Sequence, residues 1–340
     1  MSFTIKDIAK RANVSPSTVS RVLNNSGYVK EETRIKINEA IKEMNYTPSA
    51  IARSLSRRET NTIGVIVPDI TNTYFGEIIQ GISHVAEEND LNIIFFNTDN
   101  NLEKEIKALN ILKEQRIKGV IMTPGFGAEK ANEIYKDTIV NLNCPVILVA
   151  ADVKGTDLNG VFVDNIKGAF DSTSLLIKEH HKKIGIMLGI ISSEPTSQRL
   201  EGYKKALEEN NIKINEKYIY YGDYSMEKAY ELTKEIIASE NKPTALIVCS
   251  NRMTMGVLKA IEEAEMKIPD DISIIGSDKN ELLDMLRMNI TYVDECPVEL
   301  GKKSMDMLCD IINNKKNNEN KRITIVPKIK IKGSEKKSKN

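Results

Sequence analysis

The chain of 340 residues contains no tryptophan, three histidines and four cysteines. Cys144, Cys249, Cys296 and Cys309 lie far apart with no paired spacing, so we expect reduced thiols rather than a disulfide or a zinc site. The sequence also lacks a GxxxxGK[ST] phosphate loop, a GxGxxG turn, an HExxH helix and a GxSxG elbow. These absences argue against the common hydrolases, metalloproteases and nucleotide-dependent enzymes. We expect no catalytic residue, no metal and no cofactor.

Long apolar runs are absent as well. No stretch of about 18 apolar residues is present, so the sequence predicts no membrane-spanning helix. The first residues, MSFTIKDIAK, lack the apolar run of a signal peptide, which predicts a cytoplasmic protein. The 41% of apolar residues and the length of the chain are enough for two or three domains with buried cores.

The net charge is zero only for the chain as a whole, because its 48 basic and 48 acidic residues are unevenly distributed. Residues 1–60 hold 11 lysines and arginines against 6 acidic residues, and residues 328–340 hold 6 lysines against 1 glutamate. Residues 61–327 therefore carry a net charge of −10. Basic ends on an acidic body favour contact between an end and a polyanion such as nucleic acid, with binding that weakens steeply as salt rises.

The segment from Thr4 onward, TIKDIAKRANVSPSTVSRVLNN, carries two helix starts separated by a short turn. Thr4 is a candidate N-cap with Asp7 three residues later. Ser15 is a second candidate N-cap, followed by Pro16 at the first helical position. The spacing predicts two short helices joined by a turn at Asn13-Val14.

Each of these helices has one apolar face, and a third amphipathic stretch follows over residues 30–44. The opposite face of the second helix shows Ser17, Thr18, Ser20 and Arg21, which are hydroxyls and a fork-shaped cation suited to base edges. Spacing alone does not separate a DNA-binding helix–turn–helix from a plain three-helix bundle. The predicted core positions are Ile5, Ile8, Ala9, Val19, Val22, Leu23, Ile37, Ala40, Ile41 and Met44.

The sequence of this segment, together with VKEETRIKINEAIKEMNYTPSAIARSL after it, closely resembles the headpiece and hinge of the lactose and galactose repressor family of bacterial transcription regulators. The resemblance implies an all-α helix–turn–helix headpiece whose second helix enters the major groove. Pro16 departs from the polar residue usual there, and because proline has no donor, base reading at this position would rest on an apolar contact. The headpiece residues implied to contact DNA are Thr4, Ser15, Pro16, Ser17, Thr18, Ser20, Arg21, Asn24 and Arg34.

Residues 48–61, which include PSAIARSL, resemble the hinge helix and linker of the same family. Eight residues are too few for a helix to persist alone in water, so an ordered hinge needs DNA and a second hinge. The resemblance implies that Ala52 contacts DNA and that Leu55 wedges into a minor-groove step. The alternative for Leu55 is an anchor that ties the linker to the core.

From Thr62 onward, short apolar runs alternate with longer amphipathic segments, and the alternation starts afresh after residue 165. This pattern predicts an α/β core of two doubly wound parallel-sheet subdomains. It looks like the sugar-binding fold of periplasmic receptors, in which the chain crosses between subdomains three times, here near Asp164, near residues 292–295 and near Arg322.

The resulting division has a headpiece, a hinge, a core for effector binding and dimerisation, and a disordered basic tail. No leucine heptad follows the core, so a dimer is favoured over a tetramer. The predicted boundaries are 1–47 for the headpiece, 48–61 for the hinge, 62–333 for the core (N-subdomain 62–163 and 295–322, C-subdomain 164–294 and 323–333) and 334–340 for the tail.

Ligands of open parallel sheets sit beyond the carboxyl ends of the strands, so the residues after each apolar run are the candidates for a binding site. Arg199 in SQRLEGY and Asp278 in IIGSD match effector-binding positions of the family. For any single strand-end aspartate, the alternative is a helix cap. The predicted effector-binding residues are Asp69, Tyr74, Phe75, Asp164, Arg199, Tyr224, Asn251 and Asp278.

Three departures from the family pattern leave the identity of the effector open. Ser277 stands where an aromatic residue is usual, Asn251 where aspartate is frequent, and Glu295-Cys296 where the family has Gln-Pro. A sugar or a sugar phosphate is the expected ligand.

We expect a sequence-specific transcription regulator of the repressor type, acting on carbohydrate or related metabolic genes. The expected partners are a pseudo-palindromic double-stranded operator, a second copy of the chain and a small molecule in the cleft, with the protein in the cytoplasm and associated with the nucleoid. One alternative is a catabolite-control regulator switched by a phosphocarrier protein, indicated by NTDNNLEKE, LVAADV and Arg287. Another is a sugar receptor without DNA function, which explains the core but not the headpiece.

Overall fold

The structure is a computed structural model, and its chain separates into two compact units. Met1–Thr60 forms the headpiece unit, and Asn61–Asn340 forms the core unit. The residues whose structure is described here are 3–23, 26–46, 60–125, 133–153, 155–313 and 321–337.

The headpiece unit contains three helices whose apolar faces share one core, as predicted. The first helix begins after Thr4, whose backbone N–H and hydroxyl both donate to the carboxylate of Asp7, at 2.8 and 2.7 Å. It ends at Ala12 and is capped by Asn13, which lies in the left-handed region at φ 54°. The largest side chains fully buried in this core are Ile8 and Ile37. The helices are α1 Ile5–Ala12, α2 Pro16–Leu23 and α3 Glu31–Glu43.

The core unit contains two sheets of six strands among the described residues. In the first sheet the order is β11-β5-β4-β3-β1-β2, and every neighbouring pair is parallel. The inner strands β1, β3, β4 and β5 are mostly buried apolar runs, as parallel sheets require, whereas the edge strands β2 and β11 are more exposed. Their bounds are β1 Thr62–Val67, β2 Asn92–Asn97, β3 Val120–Met122, β4 Val146–Val149, β5 Asn159–Val163 and β11 Arg322–Ile325.

The second sheet has the order β12-β10-β9-β8-β6-β7. Its neighbouring strands are parallel except for the edge strand β12, which runs antiparallel to β10. Two doubly wound sheets therefore form the core, as the alternating pattern predicts. The bounds are β6 Ile184–Leu188, β7 Ile219–Tyr221, β8 Ala245–Val248, β9 Ser273–Ser277, β10 Thr291–Asp294 and β12 Lys328–Lys330.

Helices follow most of the strands, and three pairs of them approach each other closely at glycines. A Cβ at Gly202, Gly256 or Gly301 would overlap a backbone carbonyl of the facing helix, so these positions need glycine. The helices are α4 Thr73–Glu88, α5 Leu102–Glu114, α6 Glu133–Val140, α7 Asn165–Lys178, α8 Glu194–Glu209, α9 Met226–Ala238, α10 Asn251–Glu263, α11 Glu281–Met285 and α12 Pro297–Asn313.

The last crossing between the two sheets lies further along the chain than predicted. The sequence placed residues 323–333 in the second subdomain, but Arg322–Ile325 is an edge strand of the first sheet, paired with β5 from Gly160 to Val163. Ile325 is buried in the core of that sheet. The crossing falls between Ile325 and Lys328, and the predicted boundary at residue 322 was wrong because strand pairing, not local sequence, selects the sheet.

The predicted disordered tail also begins too early. Ser334 and Glu335 are buried, at 3% and 2% exposure. The Ser334 hydroxyl donates to the carbonyl of Ile274 at 2.6 Å and accepts from the N–H of Thr291 at 2.8 Å, while Glu335 binds the hydroxyl of Thr291. The sequence predicted a disordered tail here because lysines surround these two residues, and nothing local marks their burial. Residues 338–340 lie outside the described part of the chain.

Candidate functional sites

The outer face of α2 in the headpiece unit carries the predicted DNA-contacting side chains. The Ser15 hydroxyl accepts from the N–H of Thr18 at 3.2 Å and lies 2.7 Å from the hydroxyl of Ser17. Pro16 is the first residue of α2, and both it and Arg21 are exposed. This face presents hydroxyls and one guanidinium, which are the donors and acceptors that base edges and phosphates pair with.

The structure describes only some of the other residues predicted to contact DNA. Thr4 is exposed beside Asp7, Ser20 is half-buried, and Arg34 on α3 lies 3.8 Å from Glu31. The predicted contacts at Asn24, Ala52 and Leu55 lie outside the described residues.

A cavity of about 260 Å³ lies in the core unit where the strand ends of the two sheets face each other. Its wall includes residues that directly follow β3, β4, β8, β9 and β10. This is the crevice in which open parallel sheets bind ligands. Of the predicted effector-binding residues, the structure brings together Asp69, Tyr74, Phe75, Arg199, Tyr224, Asn251 and Asp278.

Asp164 is the predicted residue that the cavity does not include. Its carboxylate accepts from the N–H of Lys167 at 2.9 Å and caps α7. It borders a neighbouring pocket instead. Asp164 is therefore a helix cap, which is the alternative to effector binding at this position. The next residue, Asn165, lines the cavity instead.

Arg199 and Glu295 form an ion pair inside the cavity, with 12% and 8% of their side chains exposed. The other guanidinium nitrogen of Arg199 donates to the carbonyl of Cys249 at 3.0 Å. Burial lowers the pKa of Arg199, but Glu295 together with Tyr224, Cys249 and Tyr74 raises the pKa of the guanidinium above its usual value. Arg199 is therefore a fixed cation whose charge is already balanced by the protein.

Asp278 lies next to this pair at the end of β9. Its carboxylate accepts from the N–H of Glu295 at 3.3 Å, and its backbone lies in the left-handed region at φ 57°. Burial raises the pKa of Asp278 well above its usual value, and the nearby carboxylate of Glu295 raises it further. Strained backbone at a buried ionisable residue is typical of a binding site.

Aromatic rings form two walls of the cavity. The rings of Tyr74 and Phe75 lie edge to face, with centroids 5.3 Å apart. Tyr224 faces them from the other subdomain, and its ring packs over Gly189, where a Cβ would overlap the ring. Apolar ring faces between polar strand ends suit a hydroxylated ring with an exposed C–H surface.

Two neighbouring residues at the start of α10 make polar contacts that join the subdomains across the cavity. Arg252 at the start of α10 pairs with Asp69 at 2.7 Å. Its neighbour Asn251 donates to the hydroxyl of Thr73 at 2.8 Å. Burial raises the pKa of Asp69, but the hydrogen bonds from Thr71 and Arg252 lower it more, so this carboxyl stays ionised.

The predicted effector-binding set leaves out several polar residues of the wall, among them Thr123, Asn165, Arg252 and Glu295. Thr123 and Glu295 directly follow a strand, and Asn165 follows one residue later, so all three lie where ligands of parallel sheets are expected. Glu295 was noticed only as a departure from the family pattern. Arg252 follows Asn251 on α10, and its partner Asp69 is 183 residues away, so no local signal marks it.

Comparison with known proteins agrees with this architecture. The family described as "Periplasmic binding proteins and sugar binding domain of LacI family" matches residues 60–335, and "Bacterial regulatory proteins, lacI family" matches residues 4–49. Catabolite control protein A of Priestia megaterium is 35% identical over 315 residues, covering 92% of this chain and 93% of that protein. The ribose operon repressor of Haemophilus influenzae is 33% identical over 325 residues, covering 95% of each.

A solved structure shows the same fold over nearly the whole chain. The crystal structure of the Lac repressor dimer bound to operator and the anti-inducer ONPF superposes with a TM-score of 0.86 at 24% identity, covering 98% of this chain and 99% of that one. A helix–turn–helix unit followed by a two-sheet core of the periplasmic-binding type defines a DNA-binding transcription regulator. This chain belongs to the LacI family of bacterial regulatory proteins.

Among the described residues, no helix is both long enough and apolar enough to cross a membrane.

Proposed function

We propose that this regulator represses metabolic genes and that a small, sugar-like molecule in the cavity controls its affinity for operator DNA. The observation that carries the proposal is a set of polar side chains in one cavity, Arg199 from α8 and Asn165 and Asp278 from strand ends, with the rings of Tyr74 and Tyr224. Polar groups that fix hydroxyls, with ring faces that cover a C–H surface, are the requirements of a carbohydrate site. The protein acts by binding rather than by catalysis.

Closure of the cavity is the proposed link between ligand and DNA. Asp69 and Thr73 belong to the first subdomain, and their partners Arg252 and Asn251 belong to the second. A ligand that changes these contacts changes the angle between the subdomains, and a ligand can shift such an equilibrium only by its difference in affinity for the two states. Two copies, each presenting one headpiece, would read the halves of a pseudo-palindromic operator in the cytoplasm, at the nucleoid.

The test begins with selection of an operator from random or genomic DNA by the full-length protein, followed by fluorescence anisotropy with the selected duplex. Arg21→Ala is expected to weaken binding at least tenfold, because it removes a bidentate donor from the exposed face of α2. Lys217→Ala, on the surface of the core unit, is the matched loss of one positive charge and should leave the affinity unchanged. Equal operator affinity of Arg21→Ala and the parent would contradict the proposal.

A ligand is then sought by thermal shift, with sugars and sugar derivatives added to the full-length protein. A bound compound raises the melting temperature in a concentration-dependent way. The same compound is expected to change operator affinity severalfold. Sedimentation of the operator complex should give two protomers per duplex, and one protomer on a palindromic site would contradict the dimer.

Control by a phosphocarrier protein is the second candidate. The similarity to catabolite control protein A favours it, and so does a surface patch in which exposed Leu282, Met285 and Leu286 precede exposed Arg287. A phosphorylated phosphocarrier protein added to the operator complex should then raise DNA affinity, and Arg287→Ala should abolish this effect. No change in affinity on adding the phosphorylated carrier would remove this candidate.

A further inference from the structure

The charges in the cavity wall do not suit an anionic ligand. Five carboxyl groups and two guanidinium groups line the cavity. Both guanidinium groups already face a carboxylate of the protein, Arg199 pairing with Glu295 and Arg252 with Asp69. A phosphate or carboxylate at Arg199 would have to displace Glu295 and leave a buried carboxylate unpaired, which is costly. At Arg252 it would compete with Asp69 for a partly exposed guanidinium, where the gain is small.

The carboxyl group of Asp278 forms no ion pair with any described residue. It is 8% exposed, and the charges that act on it are those of Glu295 and Glu77, which have the same sign, and that of Arg199, which is already paired with Glu295. Burial and Glu295 together raise its pKa, so it tends to hold a proton. A cation beside it would reverse this, because an opposite charge within about 4 to 6 Å stabilises the ionised carboxylate.

Two further side chains leave polar atoms without a hydrogen-bond partner among the described residues. They are Oγ1 of Thr123 and Oδ1 of Asn165, in side chains that are 4% and 5% exposed. The amide nitrogen of Asn165 donates to Gln198 and to the carbonyl of Val163, so what it offers the cavity is an acceptor. The Thr123 hydroxyl can accept or donate. Buried polar atoms without partners are rare in proteins and call for hydrogen-bonding groups on the ligand.

We propose that the ligand is a small hydroxylated molecule carrying a protonated amine, of the amino-sugar class, and that its ammonium group binds at Asp278. The proposal rests on the proposed function, since it names the ligand of the same cavity. The ammonium supplies the missing cation, its N–H donors and the ligand hydroxyls match the acceptor of Asn165 and the hydroxyl of Thr123, and the rings of Tyr74 and Tyr224 favour a nearby cation through their faces.

The test uses the full-length protein and nine probes, which are the 2-amino, the neutral and the 6-phosphate forms of glucose, galactose and mannose. Thermal shift identifies the binders, and calorimetry gives their affinities. At least one amino sugar is expected to bind ten or more times more tightly than its neutral partner, with the 6-phosphate weaker still. A neutral or phosphorylated form that binds as tightly as the amino form, or the absence of binding by all amino sugars, would overturn the proposal.

Two variants separate charge from shape. Asp278→Asn keeps the shape of the side chain and removes its charge, so the preference for the amino form should fall to about twofold or less. Asp171→Asn removes a carboxylate that pairs with Lys167 on α7, outside the cavity, and should keep the full preference. An undiminished preference in Asp278→Asn would place the cation elsewhere and contradict the proposal.

A second measurement does not depend on any variant. Binding of an ammonium group should release a proton from Asp278, and calorimetry in buffers of different ionisation enthalpy detects that release. Tight binding of an amino sugar without proton release would also contradict the assignment. If a neutral sugar binds best and alters operator affinity, only this inference fails. If none of the nine probes binds, both this inference and control by such sugars fail.

Discussion

The guanidinium of Arg252 lies 2.7 Å from the carboxylate of Asp69 and joins the two subdomains across the cavity. The two partners are 40% and 26% exposed, so the pair is only partly protected from solvent. Exposed pairs contribute about 0.2–1 kcal/mol. A contact of this size can favour a closed cavity without locking it, which is what a switch requires.

Breaking this pair should therefore loosen the cavity without unfolding the core. Asp69→Asn and Arg252→Gln should each increase amide hydrogen exchange about two- to fivefold in residues 69–73 and 251–254. The double variant should exchange no faster than either single one. Lys204→Gln, which breaks a pair with Glu216 inside one subdomain, is the control and should leave these segments unchanged. Unaltered exchange in all three variants would show that the pair does not hold the cavity.

The Arg199–Glu295 pair should behave differently, because both partners are buried. Arg199→Met leaves the Glu295 carboxylate without its cation, and breaking a buried pair in this way costs about 3–5 kcal/mol. Adding Glu295→Gln should restore most of the loss in denaturant unfolding of the core unit. A double variant as unstable as the sum of its two single variants would contradict this interpretation of the pair.

Close helix packing gives a prediction about glycines. A Cβ at Gly301 of α12 would overlap the carbonyl oxygen of Ile78 on α4, whereas a Cβ at Gly76 meets nothing within 4 Å. Gly301→Ala should destabilise the core by about 2 kcal/mol or more. Gly76→Ala, on the exposed face of α4, should be neutral or stabilise it by up to about 1 kcal/mol. Thermal unfolding compares the two, and equal melting temperatures would contradict the packing argument.

His181 should make stability depend on pH. One ring nitrogen lies 2.9 Å from the hydroxyl of Thr244 and the other 3.2 Å from the carbonyl of Glu335, in the C-terminal segment. Burial lowers the pKa of His181 to about 4, with Lys337 adding to the effect. The unfolded chain takes up the proton below about pH 6.5 and the folded chain only near pH 4, so stability is lost as the pH falls through this window.

Between pH 6.5 and 4.5 this linkage should cost about 1–2 kcal/mol of unfolding free energy. His181→Gln should flatten that part of the profile, as measured by urea unfolding at a series of pH values. His84→Gln, at an exposed histidine on α4, should keep the slope of the parent. An unchanged slope in His181→Gln would show that another group titrates.

Several features of the fold follow from short-range periodicity and could be predicted from the sequence. Caps at Thr4 and Ser15 and the spacing of apolar residues set the headpiece helices, because helix starts and apolar faces are local properties. Alternating apolar runs and amphipathic segments set two parallel sheets, since a parallel connection needs a helix between strands. The position of Asp278 after an apolar run, and the family resemblance of the segment around Arg199, then predicted that both residues line one crevice.

Pairings between residues far apart in the chain could be read from the folded structure alone. The sequence could not show that Glu295 neutralises Arg199, 96 residues earlier, or that Arg252 reaches Asp69. Nor could it show that Arg322–Ile325 joins the first sheet, or that Ser334 and Glu335 are buried among lysines. Such contacts are selected by long-range packing and hydrogen bonding. They decide the charge of the cavity, and hence which ligand it takes.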